Sequence, residues 1–148
     1  MTISERIESD IKAAMKAQDK SKLAYLRNFK SALKYKEIDK KDKLTEEEEI
    51  EVLSSSVKKL RDSLEQAKQA GREDIVSNTQ AELDLALSYL PEQMDEDQIE
   101  KLAREIIEEI DAEGPSSVGM VMKNLMPKVK GKADGSMVKN VVQRLLME

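Results

Sequence analysis

The stretch Val118-Gly-Met-Val-Met-Lys-Asn-Leu-Met-Pro-Lys-Val-Lys-Gly-Lys-Ala-Asp-Gly-Ser-Met-Val-Lys-Asn-Val-Val-Gln-Arg-Leu-Leu-Met147 decides the fold class. Val118, Val121, Met122, Leu125, Met126 and Val129 recur at three- and four-residue spacing, and so do Val138, Val141, Val142, Leu145 and Leu146. That period puts each set on one face of a helix. Between them, Lys130-Gly-Lys-Ala-Asp-Gly135 reads as a basic turn bracketed by glycines, with Asp134 predicted to cap the second helix. Turn geometry alone accounts for Gly131 and Gly135, because tight turns favour glycine whatever the function. Lys123, Lys128, Lys130, Lys132, Lys139 and Arg144 fall outside the apolar stripes or at the turn. A helical module with a cationic edge points to a polyanionic partner, since Lys and Arg gain affinity from phosphates by releasing counterions.

Working outward, the composition favours helices everywhere. Aromatic residues make up 3% of the chain and charged residues 37%, while Gly and Pro number only 5 and 3. Few aromatics with many Lys, Glu, Leu and Ala predict an all-α protein. Cys and His are both absent, which excludes disulfides, a thiol nucleophile, a Ser-His-Asp triad and zinc sites built from Cys and His. Neither a metal nor a cofactor is expected. No apolar run approaches the roughly 20 residues that span a bilayer, and Met1-Thr-Ile-Ser-Glu5 lacks a basic segment followed by an apolar one. These readings lead to the expectation of a cytosolic protein with no membrane partner. Charge is segregated: residues 1–43 hold 12 Lys/Arg against 7 Asp/Glu, residues 44–117 hold 7 against 21, and residues 118–148 hold 6 against 2. Two basic ends therefore flank an acidic middle, an arrangement that steers a charged partner or serves only solubility.

Helix signals recur along the whole chain. Thr2 with Glu5 reads as a capping box before Ile3, Ile7, Ile11 and Met15. Asp19 precedes Leu23, Leu26, Phe29 and Leu33, and that helix is predicted to fade into a polar linker over Lys36–Lys43. Thr45 with Glu48 forms a second box, and Glu46 to Glu49 complement the helix dipole rather than a metal. Ile50, Leu53, Val57, Leu60, Leu64 and Ala67 make a short heptad-like seam closed by Gly71. A fourth helix is predicted from Glu73 to Tyr89, with Ile75, Leu83, Leu87 and Leu90 inward, and Pro91 ends it. Asp95 with Gln98 caps a fifth carrying Ile99, Leu102, Ile106 and Ile110; Ser117 caps the sixth, which Pro127 is expected to kink or shorten. The expected organisation is a four-helix N-terminal domain, 1–91, a hinge at Pro91, and a small three-helix C-terminal domain, 95–148.

Gly119-Met-Val-Met122, Leu125-Met-Pro-Lys-Val-Lys-Gly-Lys-Ala-Asp-Gly135 and Val138 resemble the GatB/YqeY family. Lys20-Ser-Lys-Leu-Ala-Tyr-Leu-Arg-Asn-Phe-Lys-Ser-Ala-Leu33, Gly71-Arg-Glu-Asp-Ile75 and Tyr89-Leu-Pro91 are similar to its N-terminal part. The resemblance is to free-standing YqeY-type proteins, related to the tail of the B subunit of glutamyl/aspartyl-tRNA amidotransferase. It implies a helical tail that contacts tRNA, separated from the domains that phosphorylate, transamidate and release ammonia. A family label of carbon–nitrogen ligase with glutamine as amido donor follows by association alone. The implied partners are tRNA and an amidotransferase or other translation-related protein.

Ser54, Ser55 and Ser56 beside Lys58 and Lys59 invite comparison with an amidase. A serine nucleophile needs a strained turn, an oxyanion hole and a base in reach, whereas these serines sit inside a regular heptad pattern. No catalytic residue is therefore assigned. Nucleic-acid binding through Lys123, Lys128, Lys130, Lys132, Lys139 and Arg144 is the leading expectation. Lys22, Arg27, Lys30 and Lys34 could add to it, although these four do not all share one helix face. Asp134 would occupy the helix amides that could otherwise receive a phosphate, leaving the charge to Lys130 and Lys132. The competing reading is a helical protein-interaction module without nucleic-acid binding, resting on the acidic middle and the heptad seam.

Overall fold

The computed structural model describes all residues 1–148. It holds seven α-helices and no strand: α1 (Ile3–Lys16), α2 (Lys20–Lys40), α3 (Glu46–Gln69), α4 (Glu73–Leu87), α5 (Glu96–Glu109), α6 (Val118–Val129) and α7 (Gly135–Leu146). A single 3-10 turn, Pro115–Ser117, leads into α6. The all-α expectation holds. Contacts divide the chain into two compact units, Met1–Leu90 and Pro91–Glu148.

In the first unit, Ile3, Ile7, Ile11 and Ala14 of α1 pack with Tyr25, Leu26, Phe29 and Leu33 of α2. Leu53, Val57 and Leu64 of α3 and Leu83 and Ala86 of α4 complete the core. The α3 seam is thus consumed inside this unit and is not a spare surface for a partner. Tyr89 closes the core from the end of α4: its ring meets Phe29 edge-on, its hydroxyl donates to Asp10, and Arg6 lies over its face. Burial and the Asp10 carboxylate push the Tyr89 phenol well up.

Several local expectations are corrected. Met15 and Ile75 face solvent, and Ala14 and Val76 take the inward positions one residue away. At α1 only the Thr2 half of the capping box forms, the Thr2 hydroxyl oxygen accepting from the Glu5 N–H at 3.1 Å. Helix α2 does not fade at Lys36 but continues to Lys40, stopping where Lys41 adopts a left-handed φ of 64°. Helix α4 ends at Leu87 rather than Tyr89.

Both reciprocal bonds form in the box at Thr45 and Glu48, and the Lys40 ammonium reaches the same Glu48 carboxylate at 2.5 Å. The hydrogen bond from Lys40, then that from the Thr45 N–H, hold the Glu48 carboxyl down to about 2. A folded value below the ordinary 4.5 means that the charged form favours the fold. Its contribution is fully present above pH 4.5 and is lost as pH falls toward about 2. Melting curves across that window should fall with acid in the native chain and less steeply in Glu48→Gln; parallel curves would overturn this reading.

In the second unit, Ile99, Ala103 and Ile106 of α5, Val121, Leu125 and Val129 of α6, and Val138, Val141, Val142, Leu145 and Leu146 of α7 form one core. The box at Asp95 and Gln98 starts α5. Ser117 does not cap α6 through its side chain; its hydroxyl donates back to the Glu113 carbonyl at 2.7 Å within the preceding turn. Pro127 lies inside α6, which runs on two residues to Val129. Its missing N–H takes away the intrahelical donor four residues on from the Lys123 carbonyl, two residues before the helix ends.

Candidate nucleic-acid interface

The basic turn is held from outside its own hairpin. Helix α6 ends at Val129, whose carbonyl accepts from the N–H groups of Lys132 at 2.8 Å and Ala133 at 3.2 Å. Gly131 is buried with a φ of 76°, the left-handed region that disfavours a β-carbon. Gly135 differs: it begins α7 without a positive φ, and a β-carbon there would meet Met126 Cε at an ordinary 3.8 Å. The bracketing geometry therefore requires glycine at Gly131 alone of the two. Asp134 caps α7 by accepting from the Ser136 N–H at 3.2 Å, so a carboxylate already occupies one amide at that helix end.

The segment after Pro91 braces this turn. Gln93 Nε2 donates to the carbonyls of Gly131 at 2.7 Å and Pro91 at 2.9 Å, and the Met94 N–H donates to the Lys132 carbonyl at 2.8 Å. Two of these contacts reach the turn, and the bond to the Pro91 carbonyl orients the Gln93 amide. Sequence reasoning misses Gln93. A lone glutamine beside a proline carries no periodic signal, and only its distant partner reveals its role.

All six cationic residues are exposed, but they do not form one face. Lys128, Lys130 and Lys132 gather at the α6 end and the turn. Lys123 lies five residues back along α6, about 140° around the helix from Lys128. Lys139 is on α7 near the same end. Arg144 is separated from this group, roughly 13 Å along α7 from its start. Its guanidinium contacts Glu100 at 3.1 Å and Glu96 at 3.6 Å. Arg104 joins the cluster by contacting Glu100 at 2.9 Å and Glu148 at 3.3 Å. Arg104 first, then Arg144, hold the Glu100 carboxyl below its ordinary value. Together with the Met94–Lys132 contact, these pairs show that α5 and α7 run in the same direction. Arg144 thus pairs with carboxylates of α5 while its side chain stays half exposed.

Among these residues the geometry offers an electrostatic surface and no nucleophile paired with a base. A family model for Yqey-like proteins matches residues 4–146. The chain belongs to the Yqey-like family. A relative in Pyrenophora tritici-repentis, "Altered inheritance of mitochondria protein 41, mitochondrial", is 28% identical over 144 residues, covering 95% of this chain and 79% of that protein. The protein of the same name in Vanderwaltozyma polyspora is 30% identical over 151 aligned positions, covering 92% and 77%. A glutamyl-tRNA(Gln) amidotransferase subunit of Thermococcus gammatolerans is 37% identical over 62 residues, 42% of this chain but 10% of that protein.

These comparisons overturn the expectation of a cytosolic protein, because Yqey-like relatives matching nearly the whole chain are mitochondrial by name. Composition is a poor guide to address. Organelle-targeting leaders are amphipathic and Arg-rich, so a search for an apolar leader does not discriminate against them. No helix of this Yqey-like chain is long and apolar enough to cross a membrane.

Within the Met1–Leu90 unit there is also an open groove of about 760 Å³ lined by Asp19, Tyr25, Asp74, Asn78 and Asp84 among others. Its carboxylates are already engaged, Asp19 with the Lys22 N–H, Asp74 with Arg72 and Asp84 with Gln80. The groove therefore adds nothing to the functional reading.

Proposed function

We propose that this chain binds tRNA through its Pro91–Glu148 unit, as an accessory to amide-forming tRNA chemistry rather than as its catalyst. The observation that carries the reading is the braced turn, on which Lys128, Lys130 and Lys132 are exposed. The 62-residue likeness to a protein named for glutamyl-tRNA(Gln) supplies the choice of polyanion. Lys123 and Lys139 flank the contact, while Arg144 lies farther along α7 beside Glu96 and Glu100. A braced backbone spares the turn itself from ordering when its lysines meet a phosphate backbone, and counterion release makes the affinity salt-dependent. With only one Phe and three Tyr in the chain, stacking on single-stranded bases is secondary to recognition of structured RNA by shape and backbone.

The test is binding of the purified chain to bulk tRNA at low and near-physiological salt, with an RNA duplex as competitor. The native chain should prefer tRNA and weaken as salt rises. Changing Lys128, Lys130 and Lys132 together to Ala should make the logarithmic salt slope shallower by about 2–3. Absence of binding at low salt would sink the proposal and turn attention to protein partners. An unchanged slope in the folded triple variant would remove the turn from the contact.

A further inference from the structure

The exposed side of α2 carries a second, differently built cationic surface. Lys20, Arg27 and Lys34 lie seven residues apart on this helix, and Lys41 continues the interval at its C-cap. All four are exposed. A seven-residue step returns a helix to nearly the same face with a drift of about 20°, so the four charges form a stripe. Each step advances about 10.5 Å, and the whole stripe spans roughly 31 Å. Tyr25, Leu26, Phe29 and Leu33 point the other way into the core, which fixes the stripe outward.

The flank on the α1 side is also basic. Lys30 pairs with Glu8 of α1 at 2.5 Å, and both Lys12 and Lys34 lie close enough to help hold the Glu8 carboxyl below its ordinary value. Glu37 turns toward α1, lining a small cleft with Ser4, Ile7 and Lys34. Two carboxylates, Glu8 and Glu37, thus sit among Lys12, Lys30 and Lys34. The residues interleaved along the stripe are Ala24, Ser31 and Ile38. They give no continuous apolar surface of the kind an amphipathic helix inserts at a lipid boundary. A row of cations at fixed intervals suits a polymer of fixed anions better. Successive phosphates of a nucleic-acid strand lie only a few ångströms apart along the axis, so each step of the stripe spans several of them.

We propose that the α2 stripe Lys20–Arg27–Lys34–Lys41 is a second contact for the phosphodiester backbone of structured RNA, lying on the N-terminal unit and distinct from the lysines of the α6–α7 turn. It rests on the reading of the chain as an RNA-binding protein but uses other residues, so the two fail separately. The stripe adds a row of phosphate contacts along a backbone without reading its sequence.

The experiment uses the full chain with Lys20, Arg27 and Lys34 changed together to Gln, beside the Ala variant of the α6–α7 lysines. Bulk tRNA and an RNA duplex are titrated at several salt concentrations, and phosphatidylserine-containing vesicles form a separate arm. Far-UV spectra and melting curves verify folding, which these exposed positions should not disturb. The stripe variant is expected to bind RNA at least about tenfold more weakly at low salt, with a logarithmic salt slope shallower by about 2–3. Loss in both variants supports both surfaces. Loss only in the stripe variant supports the stripe and removes the turn. Loss only in the turn variant overturns the stripe and leaves the function intact, whereas a native chain that binds no RNA overturns both. Vesicle binding that depends on the stripe, with RNA affinity unchanged, would overturn it in favour of a lipid surface.

Discussion

Glu49→Ala should destabilise the Met1–Leu90 unit by about 2–3 kcal/mol, lowering its melting midpoint by on the order of 10–20 °C. Glu49 is 2% exposed, although it stands in the first turn of α3 beside three other glutamates. Its Oε2 accepts from both the Ser4 N–H at 2.8 Å and the Ser4 hydroxyl at 2.6 Å. Ser4 is in the first turn of α1, so the carboxylate answers an amide that no intrahelical carbonyl can reach. It also places a negative charge at the positive end of the α1 dipole. One side chain therefore ties two helix starts that lie 45 residues apart. Removing it strands two donors in a partly buried place, which is the costly side of hydrogen-bond energetics. A leucine of similar bulk would not rescue the loss, because the Ser4 donors would stay unpaired. Glu49→Gln keeps an acceptor oxygen and should cost about half as much. Urea unfolding of these variants and Ser4→Ala gives the cycle: a coupling of about 1–2 kcal/mol is expected. A coupling near zero would mean that the contact contributes nothing beyond packing.

That glutamate marks where sequence reasoning stops. Periodicity and caps place the helices well, because those signals are local: Asp19, Thr45, Asp95 and Asp134 each accept from an amide two or three residues on. The Glu46–Glu49 run also reads as local, a solvated first turn favoured by the dipole. Three of its members fit that account to differing degrees, but the fourth turns inward because α1 supplies donors from a distant part of the chain. Boundaries escape for related reasons. Lys36 to Lys40 stay helical despite being polar for the most part, since α2 is propagated from a well-packed first half. Spacing alone puts Met15 and Ile75 inward, yet a neighbouring Ala14 or Val76 lets the helices approach instead. At the candidate interface, the lysines and the capping aspartate are legible in the sequence. The brace from Gln93 and the engagement of Arg144 by Glu96 and Glu100 are not, because both depend on packing partners at least 38 residues away. The heptad of cations on α2 is present in the sequence but becomes a surface only because the opposite face is buried.

Leu125→Ala should have the second large effect, and its consequence differs in kind from any change to the lysines. Leu125 is fully buried in α6, within the core shared by α5 and α7. Truncating such a leucine costs roughly 2–5 kcal/mol through lost transfer energy and the cavity left behind. A unit of this size is marginal because it buries only about 60% of its unfolded surface, so that cost is comparable to all the stability it has. The expected result is loss of amide protection throughout α5, α6 and α7, while protected amides of α1 to α4 persist. With α6 unfolded, Val129 no longer anchors the turn and Gln93 has no fixed carbonyl to meet. RNA affinity should then fall at least as far as in the lysine variant, although every lysine is still present. Leu125→Met, which roughly conserves volume, should retain protection and binding. If Leu125→Ala kept the turn folded yet abolished binding, the packing account would fail. If it lost protection but kept full affinity, the braced turn would not be the contact, and the stripe on α2 would remain to be tested as the main one.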